Sequence, residues 1–315
     1  MWQVSGNHGV INRDEAIESM LIHSKSGLFT WDLADHYGPA EDFVKVFRET
    51  LKEKEENDLL KKIKFFTKWV PRPQKITDEK VRAAVDVSCK RMGMDSLDML
   101  QFHWWDYRNK EYLKAMEYLD DLREEGLIKH LGLTNFDSKH VQEFVDMGIK
   151  IVSNQVQYSI IDTRPESLMQ DICEKNNIKL LVYGTLGGGL LTKRFLNKSK
   201  PNASQLNTAS LYKYYNMVQR WGDWNLFTEL LNVLQMIAEK HKVSIANVAV
   251  RYTLENPIVA AAIVGVRLGI SEHIQENMNI FDFSLDKEDL DMINRVNSRS
   301  NNLIRIIGDC GDEYR

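Results

Sequence analysis

Short apolar runs alternate along this chain with longer stretches in which apolar positions recur every three and four residues. That alternation predicts strand-then-helix units, and the absence of a Gly/Ser-rich linker predicts one domain over residues 1–315. Residues 28–31 run into Asp32 and Tyr37, Gly38 and Pro39 break the extended pattern, and residues 40–51 resume at helical spacing. The following strands end in the same way. Residues 63–67 lead to Lys68 and Trp69, residues 97–102 to His103, and residues 128–133 to Thr134 and Asn135. Residues 150–153 lead to Asn154 and Gln155, residues 179–182 to Tyr183, and residues 259–264 to Gly265 and Arg267. With residues 2–5 counted as the upper end of a first strand, the units number eight, which predicts an α/β (β/α)8 TIM barrel whose first strand is truncated. A doubly wound sheet would want a glycine-rich dinucleotide turn after its first strand. Gly6 to Gly9 does not form that pattern.

Composition narrows the partners. The chain has 315 residues and a formal net charge of −4, with no basic block interleaved with aromatics, so nucleic acid is not expected. No apolar run approaches the ~20 residues of a membrane helix, and residues 1–20 carry no secretory pattern. The cytosol is the expected compartment. Cys89, Cys173 and Cys310 are widely spaced and lack metal-ligand spacing, as suits free thiols in a reducing environment. No metal site is expected, and the oligomeric state is left open.

The polar residues at the strand ends carry the candidate chemistry. Asp32, Lys68 and His103 share one relative position, with Tyr37 just beyond the first. Each alone reads as readily as a capping carboxylate, a surface lysine or a core histidine. Together on one rim they form a proton-handling cluster: an ammonium beside a phenol favours the phenolate and is expected to lower its pKa, and a carboxylate keeps the ammonium charged.

With Asp32, Tyr37, Lys68, the strand from Gln101 to His103, Gly132 to Asn135, Asn154-Gln155, Tyr183 to Gly187, and Gly265 to Asn277 in this order, the chain resembles the aldo-keto reductase family over nearly its whole length. The resemblance implies an NAD(P)H-dependent oxidoreductase that reduces an aldehyde or ketone, or runs the reverse oxidation. It implies Tyr37 as general acid, Lys68 and Asp32 as its tuning pair, and His103 orienting the carbonyl. Thr134, Asn135 and Gln155 would meet the nicotinamide carboxamide, with Asp32 nearby, and Tyr183 would stack on the ring. Gly184, Leu186 and Gly187 would lie at the pyrophosphate, and Arg267, His273, Glu276 and Asn277 at the adenosine end. NADP is the expected cofactor, with NAD also accepted, because Arg267 can fork onto a ribose phosphate while Leu268 and His273 depart from the family pattern. Gly184 stands where many members carry serine, so a pyrophosphate contact is expected to be missing. The family's N-terminal hairpin and most of its first strand have no counterpart before Trp2, which predicts an unpaired edge at the bottom of the barrel and reduced stability. A non-catalytic dinucleotide-binding subunit on the same fold is the alternative.

Aromatic residues are expected to crowd the mouth. Trp2, Trp69 and Trp104 are read as lining the substrate pocket with Tyr37 and His103, joined at the mouth by Trp105 and by Tyr212, Tyr214, Tyr215, Trp221 and Trp224 from a long insertion after Tyr183. Such a lining favours an apolar or aromatic carbonyl over a free sugar. Trp31 alternates with Asp32 and is expected to face the helices instead.

Overall fold

The computed structural model describes residues 1–5 and 11–315, so the Gly6 to Gly9 stretch lies outside the described residues. The chain divides into two compact units. The first comprises Met1–Gln155, Gly265–Ile274 and Tyr314–Arg315, and the second Val156–Val264 and Gln275–Glu313.

In the first unit, strands β1 (Thr30–Asp32), β2 (Lys64–Trp69), β3 (Met99–Phe102), β4 (Leu131–Thr134) and the start of β5 (Ile151–Gln157) pair in chain order, all parallel. The helices of nine residues or more that accompany them are α1 (Arg13–Lys25), α2 (Ala40–Glu53), α3 (Asp78–Met92), α4 (Glu111–Glu124) and α5 (Ser138–Asp146). Parallel strands need a crossover, and α2 to α5 each join one strand to the next. Every residue of β3 and β4 is buried, the pattern of strands covered on both faces. Trp31 packs edge-on against His23 of α1 and Phe47 of α2, as its alternation with Asp32 requires.

The second unit holds β6 (Lys179–Tyr183) and β7 (Val259–Ala262), again parallel, with α6 (Leu168–Asn176), α7 (Ala209–Trp221), α8 (Trp224–His241), α9 (Ile245–Leu254) and α10 (Lys287–Asn297). The long stretch after Tyr183 folds largely into two helices. Thr208 and Asp223 cap α7 and α8, and Trp221, Trp224 and Phe227 are buried in the apolar stripe these helices present. Of the aromatics assigned to the mouth from this segment, Tyr212 is exposed, Tyr215 half-buried and Tyr214 buried.

Residues 2–5 also differ from expectation. They form a single 3-10 turn closed by the Val4 amide on the Met1 carbonyl, a local bond in place of ladder pairing. The described residues contain seven named strands rather than eight.

Candidate active site

The first unit gathers its polar strand ends around one carboxylate. Register places Lys68 beside Gln101, Gln101 beside Gly132, and Thr134 beside Gln155. Asp32 Oδ1 accepts from Lys68 Nζ at 2.5 Å. Its Oδ2 accepts from Gln101 Nε2 at 3.0 Å and from Gln155 Nε2 at 2.8 Å. Gln155 also donates to Gln101 Oε1 at 2.7 Å, and Lys68 to the Leu33 carbonyl at 2.7 Å. A buried ion pair is costly unless its remaining lone pairs and protons are satisfied. Here two amides and a carbonyl do so. Gly132 makes the arrangement possible, because a Cβ there would lie 2.6 Å from Ser153 Oγ and 3.3 Å from Gln101 Cγ.

Tyr37 reaches this pair from the turn after β1. Lys68 Nζ lies 5.1 Å from its ring centroid, and the two side chains hydrogen-bond. The turn itself is fastened on both sides. The Asp35 amide donates to the Lys68 carbonyl at 3.0 Å, and Asp35 Oδ2 accepts from the Val70 amide at 3.1 Å. From α3, Arg91 donates to the Asp35 carbonyl at 3.0 Å and the Gly38 carbonyl at 2.6 Å, while pairing with Glu41 and Asp42. Glu41 is fully buried and accepts from Thr67 Oγ1 at 2.7 Å as well, so β2, α2 and α3 share one polar joint beneath the Tyr37 turn.

Electrostatics corrects one expectation. Burial raises the Tyr37 pKa above its usual 10; Lys68 opposes this and Asp32 adds to it, so the net direction is upward rather than downward. Lys68 is buried too, which alone would lower its pKa, but Asp32 and Tyr37 outweigh burial and hold it above 10.5. His103 is lowered to about 3, first by burial and then by Arg315, His36 and Lys68. It is neutral at any ordinary pH, and its Nδ1 is buried without a hydrogen-bond partner.

The expected substrate residues separate. Trp2 is exposed and Trp69 packs on Phe102 with ring centroids 5.5 Å apart. Trp104 is wholly buried, with its indole N–H shared between the carbonyls of Asp106 at 2.9 Å and Asn109 at 3.0 Å. A ring enclosed in this way packs as part of the core, with Phe102 6.0 Å away between ring centroids. Its neighbour Trp105, also read as a mouth aromatic, is 41% exposed and meets the His103 ring edge-on at 4.3 Å.

Arg315 was missed in the sequence. Its Nη2 donates to the carbonyls of Trp104 at 3.0 Å and Asn135 at 2.8 Å and to the Tyr107 hydroxyl at 2.6 Å, while the guanidinium lies 3.9 Å from the Tyr107 ring centroid. It thereby joins the loops after β3 and β4. Thr134 is buried next to Asn135 in sequence, its hydroxyl without a partner among the described residues, and Asn135 takes a left-handed backbone. Arg267 and Leu268 lie on the turn closed by the amides of Ile270 and Ser271 on the Arg267 carbonyl. Leu268 is buried, whereas Arg267 and His273 are exposed.

In the second unit, Tyr183 ends β6 with its hydroxyl 3.3 Å from Glu313, which Arg164 holds at 3.0 Å. Lys213 of α7 lies 5.3 Å from the Tyr183 ring centroid and 5.2 Å from that of Tyr214. Gly184 and Gly187 have positive φ, and Leu186 is half-buried between them. Glu276 and Asn277 lie half-buried on the short helix Ile274–Met278, where the Glu276 carbonyl accepts from Asn247 at 2.6 Å.

The model of the Aldo/keto reductase family matches residues 1–298. The chain belongs to that family. Glyoxal reductase of Bacillus subtilis is 28% identical over 298 residues, covering 94% of this chain and 88% of the relative. NADH-specific methylglyoxal reductase of Escherichia coli is 23% identical, covering 94% and 92%. Among solved structures, the glycerol dehydrogenase of Gluconobacter oxydans superposes with a TM-score of 0.75 at 21% identity, covering 98% of this chain and 91% of that one. The fold of this family member is thus the α/β barrel of its relatives, and its class is that of nicotinamide-dependent oxidoreductases acting on carbonyl compounds. Among the described residues, no helix is long and apolar enough to cross a membrane.

Proposed function

We propose that the protein reduces small aldehydes or ketones to alcohols with NADH or NADPH, or catalyses the reverse, with Tyr37 as general acid. The observation that carries the reading is the buried Lys68 ammonium, held between the Asp32 carboxylate at 2.5 Å and the Tyr37 phenol. The raised Tyr37 pKa keeps a proton on its hydroxyl throughout the neutral range, ready for a carbonyl oxygen. Lys68 then stabilises the phenolate left behind, and Asp32 keeps Lys68 charged. Neutral His103 orients the carbonyl oxygen without adding charge.

A nicotinamide cofactor supplies hydride to the carbonyl carbon when bound. The residues fit such a group: Thr134 offers a buried hydroxyl without a partner among the described residues, next to Asn135, and Tyr183 offers an aromatic face at the end of β6. Thr134, Asn135 and Gln155 are proposed for the carboxamide, although Gln155 already spends its amide hydrogens on Asp32 and Gln101. Tyr183 is proposed for the ring and Gly184, Leu186 and Gly187 for the phosphates. Arg267, His273, Glu276 and Asn277 are proposed for the adenosine end, where exposed Arg267 supports acceptance of NADPH and the NADH-specific relative supports acceptance of NADH.

The relatives' names favour glyoxal and methylglyoxal as first substrates, ahead of bulky aromatic carbonyls. Initial rates over dicarbonyls, simple aldehydes, ketones and sugars with each nucleotide test the proposal. Consumption of neither nucleotide with any carbonyl defeats it.

A further inference from the structure

Within the second unit, the loop after β6 is folded around one side chain of α7. A Cβ at Gly184 would clash with the Tyr214 hydroxyl and lie 2.8 Å from Cε1 and Cζ of its ring, and at Gly188 it would lie 2.8 Å from Cδ2 of the same ring and 2.9 Å from the Ser210 carbonyl. Both glycines have left-handed backbones, φ 76° and 64°, so they supply at once the turn and the space that the ring fills. Tyr214 is only 8% exposed. Its hydroxyl end therefore fills the space that any side chain on residue 184 would need. Lys213, the preceding residue, sets its ammonium between the Tyr183 and Tyr214 rings, about equally distant from both.

We infer that Tyr214 and Lys213 form a phosphate-binding pair: the Tyr214 hydroxyl replaces the contact that Gly184 cannot make, and the Lys213 ammonium supplies the cation for a pyrophosphate. This rests on the reading of the protein as a dinucleotide-dependent enzyme. A phenol donating to an anionic oxygen and an ammonium acting as a point charge are complementary to that group, and both come from a helix rather than from the mobile arm of a long side chain alone. The exchange also explains the glycine at 184. A serine there would collide with the ring that has taken over its role.

The test uses the full chain and two ligands titrated by quenching of tryptophan fluorescence. NADPH carries the whole cofactor, and ADP-ribose carries the pyrophosphate without the nicotinamide. Tyr214→Phe keeps the ring and its packing and removes one oxygen; it is expected to weaken both ligands by a similar factor, about tenfold. Lys213→Met is expected to weaken both as well, and to flatten the salt dependence of binding. Unchanged thermal midpoints without nucleotide establish that both variants are folded, and Lys213→Met, which alters a half-buried side chain, carries the test alone if Tyr214→Phe unfolds. ADP-ribose affinity equal to wild type in the folded variants overturns the pair while leaving the proposed function standing. A wild-type chain that binds neither NADPH nor NADH overturns both.

Discussion

The rim formed by β1 to β5 and the loop after β6 build polar sites by opposite means. At the rim, the positions are over-determined: Asp32 has three side-chain donors, Lys68 two acceptors beyond Tyr37, and the Tyr37 turn is tied to β2 and to Arg91. In the loop, glycines remove side chains, and a helix from elsewhere in the chain supplies the functional atom. Charge buried on strands needs partners on neighbouring strands, so it leaves a dense network. A backbone that packs closely against an aromatic ring needs glycines, and glycines bring no side-chain network. Substitutions at the first site should therefore act on stability and chemistry together, and at the second on affinity alone.

Lys68→Met should give the largest effect. It leaves the Asp32 carboxylate buried without its cation, a loss of about 3–5 kcal/mol in urea unfolding. Adding Asp32→Leu should recover much of that stability without any activity, and a double variant no more stable than Lys68→Met would contradict the account of the pair. Tyr37→Phe comes next. It should reduce turnover by about 100-fold or more while nucleotide affinity stays within about twofold, the reverse of the pattern expected for Tyr214→Phe. Near-normal turnover in Tyr37→Phe would end its assignment as the acid.

His103 gives a pH signature that the loop site lacks. Its folded pKa of about 3 lies below the 6.5 of an unfolded histidine, so the unfolded chain takes up a proton first as pH falls. The associated stability is complete above pH 6.5 and declines between pH 6.5 and 3, by about 2 kcal/mol at pH 5. Denaturation curves of wild type and His103→Gln across this range should converge in acid. Parallel curves would assign the acid sensitivity to other groups. Arg315→Ala should give the smallest change, about a threefold fall in kcat/KM, because it loosens the loops after β3 and β4 without touching the ion pair. Arg315→Lys should not restore it, since an ammonium lacks the planar face set against Tyr107.

How much of this was legible in the sequence follows the same division. Asp32, Lys68 and His103 stand out because each interrupts an apolar run at a strand end, where burial without a partner would be prohibitive. Gln101 lies within such a run, and nothing local marks it as the amide that reaches Asp32. The full burial of Trp104 was not legible for a related reason: how deeply an aromatic at a strand end is enclosed depends on the loop beyond, here the turn whose carbonyls take its N–H. The direction of the Tyr37 shift depends on how deeply the phenol is buried, which spacing does not encode. Arg315, Glu313 and Tyr214 act across 100 residues or more of chain, or through a helix that the pattern left unassigned, so only the folded structure brings them to their partners.

The Arg91 joint has a consequence for when the site exists as well as where. The guanidinium that fastens the carbonyls of Asp35 and Gly38 is carried by α3, beyond β2 in the chain, and its carboxylate partners sit on α2. The turn bearing Tyr37 therefore cannot fray as an independent surface loop; it opens only when α2 and α3 come away with it. In the language of native-state hydrogen exchange, the Tyr37 turn is expected to belong to the same cooperative unit as two flanking helices. Transient openings elsewhere in the molecule then leave Tyr37 beside Lys68 until this unit as a whole gives way.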